Sequence, residues 1–396
     1  ELDSADPLAG NHFVIEQQAL EAQHDLPWAR LTSVTSRQRH RLSENDHTGR
    51  EIMRAWMGMD VSFPLAKREH GHNWNQELRL ASLPGSAVFW VAGLDVYRAK
   101  WGNVQNRMGQ GYGHDLTHNA DAAFGEATWP LGASGLKLTA GLRHSRYHST
   151  QGKRVYDARK TTPMLAVVYK LREDLSFYAS YAQGLEEGEA APAGTANQNE
   201  RLAPGVSKQK EIGARWQAPW GTLLSAAVFD IERPGYYTNA SNVYTADGRQ
   251  LYTGLELSAQ GQITRQLGWQ TAWQWLNPRF ADINAAYNGK LPENASKKTA
   301  SLFLTYAFDG ALQGLSLNAG AYYTGRRPMD DLNQGWLGGN TLYTLGARYR
   351  HQMGGYAYTW QLNVDNAANK RYWAAGGNRL SAGLPRTVKL ALKVDF

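Results

Sequence analysis

Two absences restrict what kind of protein this sequence encodes. The 396 residues contain no cysteine, which excludes disulfide bonds and thiolate metal sites. They also contain no long hydrophobic run, since stretches such as Met164–Val168 fall far short of the roughly 18 residues of a membrane-spanning helix. A helical membrane protein and a disulfide-stabilised domain are therefore not expected.

Charge is sparse and scattered. Only 19% of the residues are charged, the net charge is +7, and the lysines and arginines form no block. Nucleic-acid binding usually requires a clustered basic face, so no nucleic-acid partner is expected, whereas attraction to an anionic lipid surface fits the charge. The motifs G-x-S-x-G, Walker A and H-E-x-x-H are also missing, and no enzyme is expected.

The chain does contain a recurring alternation of apolar and polar residues. The C-terminal stretch RTVKLALKVDF places Val388, Leu390 and Leu392 on one face and Lys389 and Lys393 on the other. Similar stretches begin at positions 135, 315, 344 and 356. A period of two over about ten residues is typical of a β-strand whose two faces meet different solvents.

These segments predict an all-β protein, a transmembrane antiparallel β-barrel. They are about 10 to 17 residues long, whereas soluble strands average about 5 or 6, and aromatic residues lie near the ends of the apolar faces. Short connections at 83–86, 132–135, 172–174, 219–221, 309–313 and 353–355 alternate with long polar ones. The long ones are expected near 43–70, 101–118, 149–160, 185–206, 233–248, 279–296, 327–341 and 373–381. Short turns at one end and long loops at the other are typical of outer-membrane barrels.

The segments number about seventeen. The first, roughly 12–22, and the last both run towards the short-turn side. Single-chain bacterial barrels have an even strand number, so an odd count predicts that upstream strands precede this chain and that the barrel is cut short at its N-terminus.

Two C-terminal stretches carry a family resemblance. LNVDNAANKRYWAAGG (362–377) and GLPRTVKLALKVDF (383–396) resemble the final two strands of TonB-dependent outer-membrane receptors, ferric-siderophore receptors above all. NQELRLAS, FWVAGLDVY, KLTAGLRHS, DLSFYASYAQG and KQKEIGARW look like further barrel segments of that family in the family's order. The resemblance covers roughly residues 12–396.

The resemblance implies a 22-stranded barrel, a globular plug and a TonB box, of which the plug and the first strands are not present in residues 1–396. It implies import of a ferric siderophore across the outer membrane of a Gram-negative bacterium, without a covalently bound cofactor. The expected partners are the siderophore, the TonB–ExbB–ExbD complex acting through the plug region, lipopolysaccharide and outer-membrane lipid. A monomer is expected.

A polar, bulky chelate requires aromatic walls with a few cationic groups at the long-loop end. Strand parity and loop position select the candidate ligand-binding residues: Tyr97, Trp101, Tyr112, Tyr147, Tyr236, Tyr237, Tyr322, Arg326, Arg327, Trp336 and Trp373. Each aromatic residue also fits packing in a loop or at the membrane interface, and the two arginines also fit a lipopolysaccharide phosphate or a solvated loop.

Other polar residues favour structural roles. Lumen-facing charges are expected to bind the plug or to pair along the wall: Glu77, Arg79, Glu256, Lys389, Lys393 and Asp395. His70, His72, His114, Asp115 and His118 lie in predicted loops without fixed spacing, and no metal site is expected there, since a siderophore supplies its own iron ligands. The alternatives are a passive porin-like channel, a receptor of the same fold for haem, cobalamin or another nutrient, and a non-functional fragment.

Overall fold

The structure, a computed structural model, describes residues 10–46, 65–107, 110–151, 154–375 and 380–395. Strands dominate this part of the chain, and the only helical turns within it are single 3-10 turns at Gly132–Ser134 and Gly310–Leu312. Over the same residues no helix is long and apolar enough to cross a membrane.

Twenty-one strands occur in the described residues. The first ten are β1 Gly10–Asp25, β2 Ala29–Asp46, β3 Leu65–Ser82, β4 Phe89–Arg107, β5 Gln110–Pro130, β6 Leu136–Gln151, β7 Arg154–Arg172, β8 Leu175–Glu186, β9 Gly205–Gln217 and β10 Leu223–Thr238. The others are β11 Tyr244–Gln262, β12 Leu267–Ala281, β13 Lys298–Ala307, β14 Leu315–Thr324, β15 Arg327–Pro328, β16 Trp336–Leu337, β17 Asn340–Met353, β18 Tyr356–Asp365, β19 Trp373–Ala375, β20 Ser381–Ala382 and β21 Thr387–Asp395.

Seventeen of the strands belong to one sheet, which confirms the predicted number. The four short ones form two separate ladders, β15 with β16 and β19 with β20. The chain divides into two compact units, residues 1–130 with 139–164 and residues 131–138 with 165–396. In the first unit β1 to β5 pair in sequence order, all antiparallel. In the second, β8 to β14 do the same, followed by β17, β18 and β21.

Strand register separates an apolar face from a polar face. Leu362 pairs with Leu390 on the apolar face, and Leu390 remains 69% exposed. On the polar face Asn363 pairs with Lys389, whose Nζ lies 2.7 Å from the Asp365 carboxylate. Large apolar side chains exposed along strand after strand require a non-aqueous surrounding, as the alternation in the sequence predicted.

The charges on the polar face pair along the wall. Arg79 lies 2.7 Å from Glu77, and Lys393 lies 2.6 Å from Asp395. Glu256 accepts a hydrogen bond from Gln274 at 2.8 Å. Pairing along the wall is one of the two arrangements that the sequence predicted. Arg79 with Glu77 and Lys393 with Asp395 follow it, whereas Glu256 bonds to a neutral amide.

The predicted long loops are wrong at three places. Residues 101–118 and 149–160 belong almost entirely to β4, β5, β6 and β7, and 233–248 is occupied by the ends of β10 and β11 around a short turn. The lipid-facing apolar side chains form a belt around the sheet. Beyond this apolar belt both faces of a strand meet water, so the alternation of apolar and polar residues fades although the backbone hydrogen bonds between strands continue. Trp101, for example, is a ladder residue of β4 opposite Gly71 and Leu116.

Candidate functional site

Two tyrosines of one hairpin stack at the long-loop end of β10 and β11. The ring centroids of Tyr236 and Tyr244 are 6.2 Å apart, and the planes are inclined by 17°. The Tyr244 hydroxyl donates to the Glu189 carboxylate at 2.5 Å, and the Tyr236 hydroxyl donates to the Glu187 carbonyl at 3.4 Å. Burial, reinforced by the Glu189 carboxylate, raises the pKa of both phenols, so both remain protonated donors.

The loop between β8 and β9 holds this pair in place. Asn197 forms two hydrogen bonds with the backbone of Tyr244, accepting at 2.8 Å and donating at 3.0 Å. Asn242 donates to the Gly194 carbonyl at 2.9 Å, and its own carbonyl accepts from the Ala196 amide at 2.7 Å. The two rings are therefore preorganised, which lowers the entropic cost of binding a ligand against them.

An ion pair lies on the polar face beside the stacked tyrosines. Arg233 donates through Nε and Nη2 to the two oxygens of Glu186, at 2.9 and 2.8 Å. The hydrogen bonds with Glu186 raise the pKa of Arg233 further above its ordinary value. Because the pair is bidentate, it fixes both side chains and leaves little net charge at this position. Tyr237 follows a register shift in β10 and pairs with Thr245.

The first unit carries a second aromatic group on its polar face. His118 of β5 lies between Tyr97 of β4 and Tyr147 of β6, with ring centroids 6.1 and 5.9 Å away. Nearer the short-turn end, the Arg143 guanidinium lies 3.6 Å from Asp95 and 5.5 Å from the centroid of the Phe124 ring. Parity had placed Tyr97 and Tyr147 on this face, and in the structure both rings contact His118.

Trp101 forms a further aromatic contact. Its ring meets His40 of β2 at 5.8 Å and an interplanar angle of 88°. Tyr112 pairs with Gln105 in the β4–β5 ladder, but its side chain, like those of His114 and Asp115, lies outside the described residues.

Tyr322 lines a cavity of about 540 Å³ on the polar face of the second unit. Tyr178, Glu211 and Glu256 line it as well. The Tyr178 hydroxyl donates to Glu211 at 2.5 Å, and its ring covers Gly213, where an added Cβ would approach the ring to 2.6 Å. This cavity therefore presents phenol and carboxylate groups. The ring of Tyr178 keeps its position only because residue 213 is glycine, since a side chain there would meet the ring.

Three of the remaining candidates, Arg326, Arg327 and Trp336, lie in the segment that follows β14, and the fourth, Trp373, lies in β19. The Arg326 guanidinium lies 4.7 Å from the centroid of the Trp336 ring, a cation–π contact. Arg327 is buried, and it donates to the carbonyl oxygens of Trp373 and Ala374 at 2.8 and 2.5 Å. Trp373 itself is partly exposed in β19. Whether any of these side chains binds a ligand stays a prediction.

The structure adds residues that the sequence did not select as binding candidates. Tyr244, Glu189 and Tyr178 were not selected, and His118 was considered only as a metal ligand. The hairpin TNASNVY held a signal for Tyr244, since a turn at 239–242 brings it beside Tyr236. No group of three or more His, Asp or Glu side chains suited to a metal ion occurs in the part of the chain that the structure describes.

Residues 10–367 match the model of a family described as TonB dependent receptor-like, beta-barrel. The chain therefore belongs to this family, as the two C-terminal strands predicted. Its fold is that of the family's β-barrel, and its location is the outer membrane of a Gram-negative bacterium, which confirms the predicted fold class and location. The family consists of receptors and transporters rather than known enzymes.

Curated relatives include the ferrichrome receptor FcuA of Yersinia enterocolitica, 33% identical over 258 residues, which are 61% of this chain and 33% of FcuA. The ferrioxamine receptor of the same organism is 31% identical over 246 residues, 58% of this chain and 33% of that protein. The alignments span only about a third of these relatives' length.

Solved structures share the fold at lower identity. BauA, the ferric preacinetobactin receptor of Acinetobacter baumannii, superimposes with a TM-score of 0.82 at 20% identity, over 98% of this chain and 64% of that one. The ferric yersiniabactin uptake receptor FyuA of Yersinia pestis gives 0.78 at 18% identity, over 98% and 62%.

Proposed function

We propose that this chain is the barrel part of a receptor that imports a ferric siderophore across the outer membrane. The observation that carries the proposal is the similarity to receptors named for ferrichrome and ferrioxamine, at 33% and 31% identity. The polar face supports it, because stacked phenol rings and fixed hydroxyl donors suit a bulky, polar ligand.

In this proposal the long-loop end captures the chelate. Tyr236 and Tyr244 offer ring faces held rigid by the β8–β9 loop, and Tyr97 and Tyr147 offer a second aromatic wall around His118. No covalent chemistry is required, since the siderophore holds the iron and the protein binds the complex from outside.

Release into the periplasm would depend on the TonB–ExbB–ExbD complex acting through a plug. Glu211 and Glu256 on the polar face are placed to hydrogen-bond such a plug, since both line the open cavity and accept bonds only from neutral donors, Tyr178, Gln209 and Gln274, among the described residues. The working unit in this proposal is a monomer.

Growth of an iron-starved strain tests the proposal. Cells lacking the full-length gene product are supplied with one ferric siderophore at a time, ferrichrome and ferrioxamine B first. The proposal expects growth on at least one siderophore to require both this gene and TonB. Growth that is unaffected on every siderophore would contradict it and would direct the search to haem, cobalamin or another nutrient.

A conductance measurement separates this receptor from a passive channel. The full-length protein in a planar bilayer is expected to be nearly closed, because a plug fills the lumen of the family's barrels. A large and steady conductance would favour a porin-like channel instead.

A further inference from the structure

Two carboxylates near the stacked tyrosines of β10 and β11 have no cationic partner among the residues that the structure describes. Glu189 is exposed and accepts from the Tyr244 hydroxyl at 2.5 Å. Asp331 is half-buried and accepts from the Glu293 backbone amide at 2.7 Å. Both donors are neutral, so both negative charges remain unbalanced. Two neighbouring guanidinium groups are already paired, Arg233 with Glu186 at 2.8 Å and Arg201 with Glu187 at 3.7 Å.

The two phenols respond to this surplus of negative charge. Burial is the main reason that the pKa of Tyr244 is raised, and the charges of Glu189 and Asp331 raise it further. Burial also raises the pKa of Tyr236, and there the effect of Glu189 exceeds the opposite effect of Arg233. The surroundings of both rings therefore favour a positive charge.

We propose that the imported compound is a ferric hydroxamate chelate with a pendant ammonium group, and that Glu189 and Asp331 select it by its charge. An ammonium group is attracted both by carboxylates and by aromatic rings, and this site holds both kinds of group in fixed positions. A tris-hydroxamate core balances the charge of the ferric ion, whereas a tris-catecholate core leaves surplus negative charge that the carboxylates would repel. This inference rests on the proposed function and narrows its ligand to one class.

A series of chelates with one common iron-binding core tests the preference without changing the protein. Ferrioxamine B carries the ammonium group, its N-acetyl derivative is neutral at that position, and its N-succinyl derivative carries a carboxylate. Binding to the full-length protein in detergent is measured by quenching of tryptophan fluorescence. Affinity is expected to fall about three- to tenfold on acetylation and further on succinylation, because first an attraction is lost and then a repulsion is added. Equal affinity for the whole series would overturn this inference and leave the import of a ferric siderophore standing.

A double variant, Glu189→Gln with Asp331→Asn, tests the two residues. Both substitutions remove a charge and keep an oxygen that accepts the existing hydrogen bond. The double variant is expected to bind ferrioxamine B as weakly as wild type binds the N-acetyl derivative, with affinity for that neutral derivative unchanged. Glu200→Gln, which removes an exposed carboxylate from the same β8–β9 loop, is the matched control and should keep the wild-type preference. A double variant that keeps the wild-type preference would overturn the assignment.

A ferric tris-catecholate separates failure of this inference from failure of the proposed function. Binding of the tris-catecholate, with none of the hydroxamates bound, would overturn the charge preference but support a siderophore receptor. Absence of binding by every one of these chelates would count against both. If the double variant fails to give the heat-modifiable band of a folded barrel, the single variants Glu189→Gln and Asp331→Asn replace it. Each is expected to reduce the preference for ferrioxamine B by at least about twofold, and a wild-type preference in both would overturn the inference.

Discussion

Arg327 donates two hydrogen bonds to the carbonyl oxygen atoms of Trp373 and Ala374, across a sequence separation of 46 and 47 residues. Only 7% of Arg327 is exposed, so the charge is buried and satisfied by backbone oxygens. These bonds join the segment after β14 to β19 and thereby fix two of the long connections relative to each other. This geometry gives Arg327 a structural role in addition to its predicted role in binding a ligand.

Replacing Arg327 with alanine is expected to release the segment that contains β15 and β16. Loss of hydrogen bonds from a charged donor removes about 1.5–3 kcal/mol of local stability, so chymotryptic cleavage at Trp336 should accelerate roughly 10- to 100-fold. The neighbouring variant Arg326→Ala is the matched control. It removes only an exposed cation–π contact and should change the rate a few-fold at most. Equal cleavage rates of the two variants would show that Arg327 does not stabilise the contact between these two connections.

The two faces of β21 predict opposite responses to one substitution. Leu390→Arg places a charge on the lipid side and should destabilise the barrel by about 2–4 kcal/mol near the bilayer midplane. Ala391→Arg, one residue further along, points to the wet interior and should stay within about 1 kcal/mol of wild type. Urea unfolding of the full-length protein in lipid vesicles gives both values. A larger effect at position 391 would reverse the assignment of the faces.

Within the apolar belt the sequence was sufficient to predict which side chains share a face. Tyr322 and Tyr323 fall on opposite faces by parity alone, and the register against Leu342 and Thr341 agrees. The reason is physical: lipid on one side and water on the other impose a period of two on every strand that crosses.

Above the belt that constraint ends. Tyr244 pairs with Glu189 through a loop contact spanning 55 residues, and Arg327 depends on the position of β19. Such contacts are set by where connections fold back, and no local period encodes this. The outer halves of the hairpins β4–β5 and β6–β7 were predicted as loops for the same reason, because they lack alternation.

Removing the Tyr244 hydroxyl is expected to loosen the β8–β9 loop. The Tyr244→Phe variant lacks the hydrogen bond to Glu189, and proteolysis within residues 187–204 should accelerate about tenfold below pH 9. The folded state raises the pKa of Tyr244 above the ordinary value of 10.0, so the stabilisation is complete below pH 10. It is lost as the pH rises further, since the phenol ionises more readily once the loop is released.

The pH profile of this cleavage is the control for Tyr244→Phe. The cleavage rates of wild type and variant should become equal above pH 10, where the wild-type loop also opens. A constant ratio of their cleavage rates from pH 7 to pH 11 would show that ionisation of this tyrosine does not affect the loop.

The adjacent tyrosines of β14 provide a matched test of where the ligand binds. Tyr322 and Tyr323 both border the cavity that Glu256 lines, but Tyr322, 46% exposed, lies on the polar face and Tyr323, 42% exposed, lies on the apolar face. If a ferric siderophore enters from the polar face, Tyr322→Ala should weaken its binding by about 1–2 kcal/mol, or roughly 5- to 30-fold, through loss of one aromatic contact. Tyr323→Ala removes a ring of the same size and exposure but should leave siderophore affinity unchanged. Titration of the full-length protein with whichever siderophore supports growth measures both values, by quenching of tryptophan fluorescence. Weaker binding in Tyr323→Ala together with unchanged binding in Tyr322→Ala would mean that the ligand does not use the polar face of this strand.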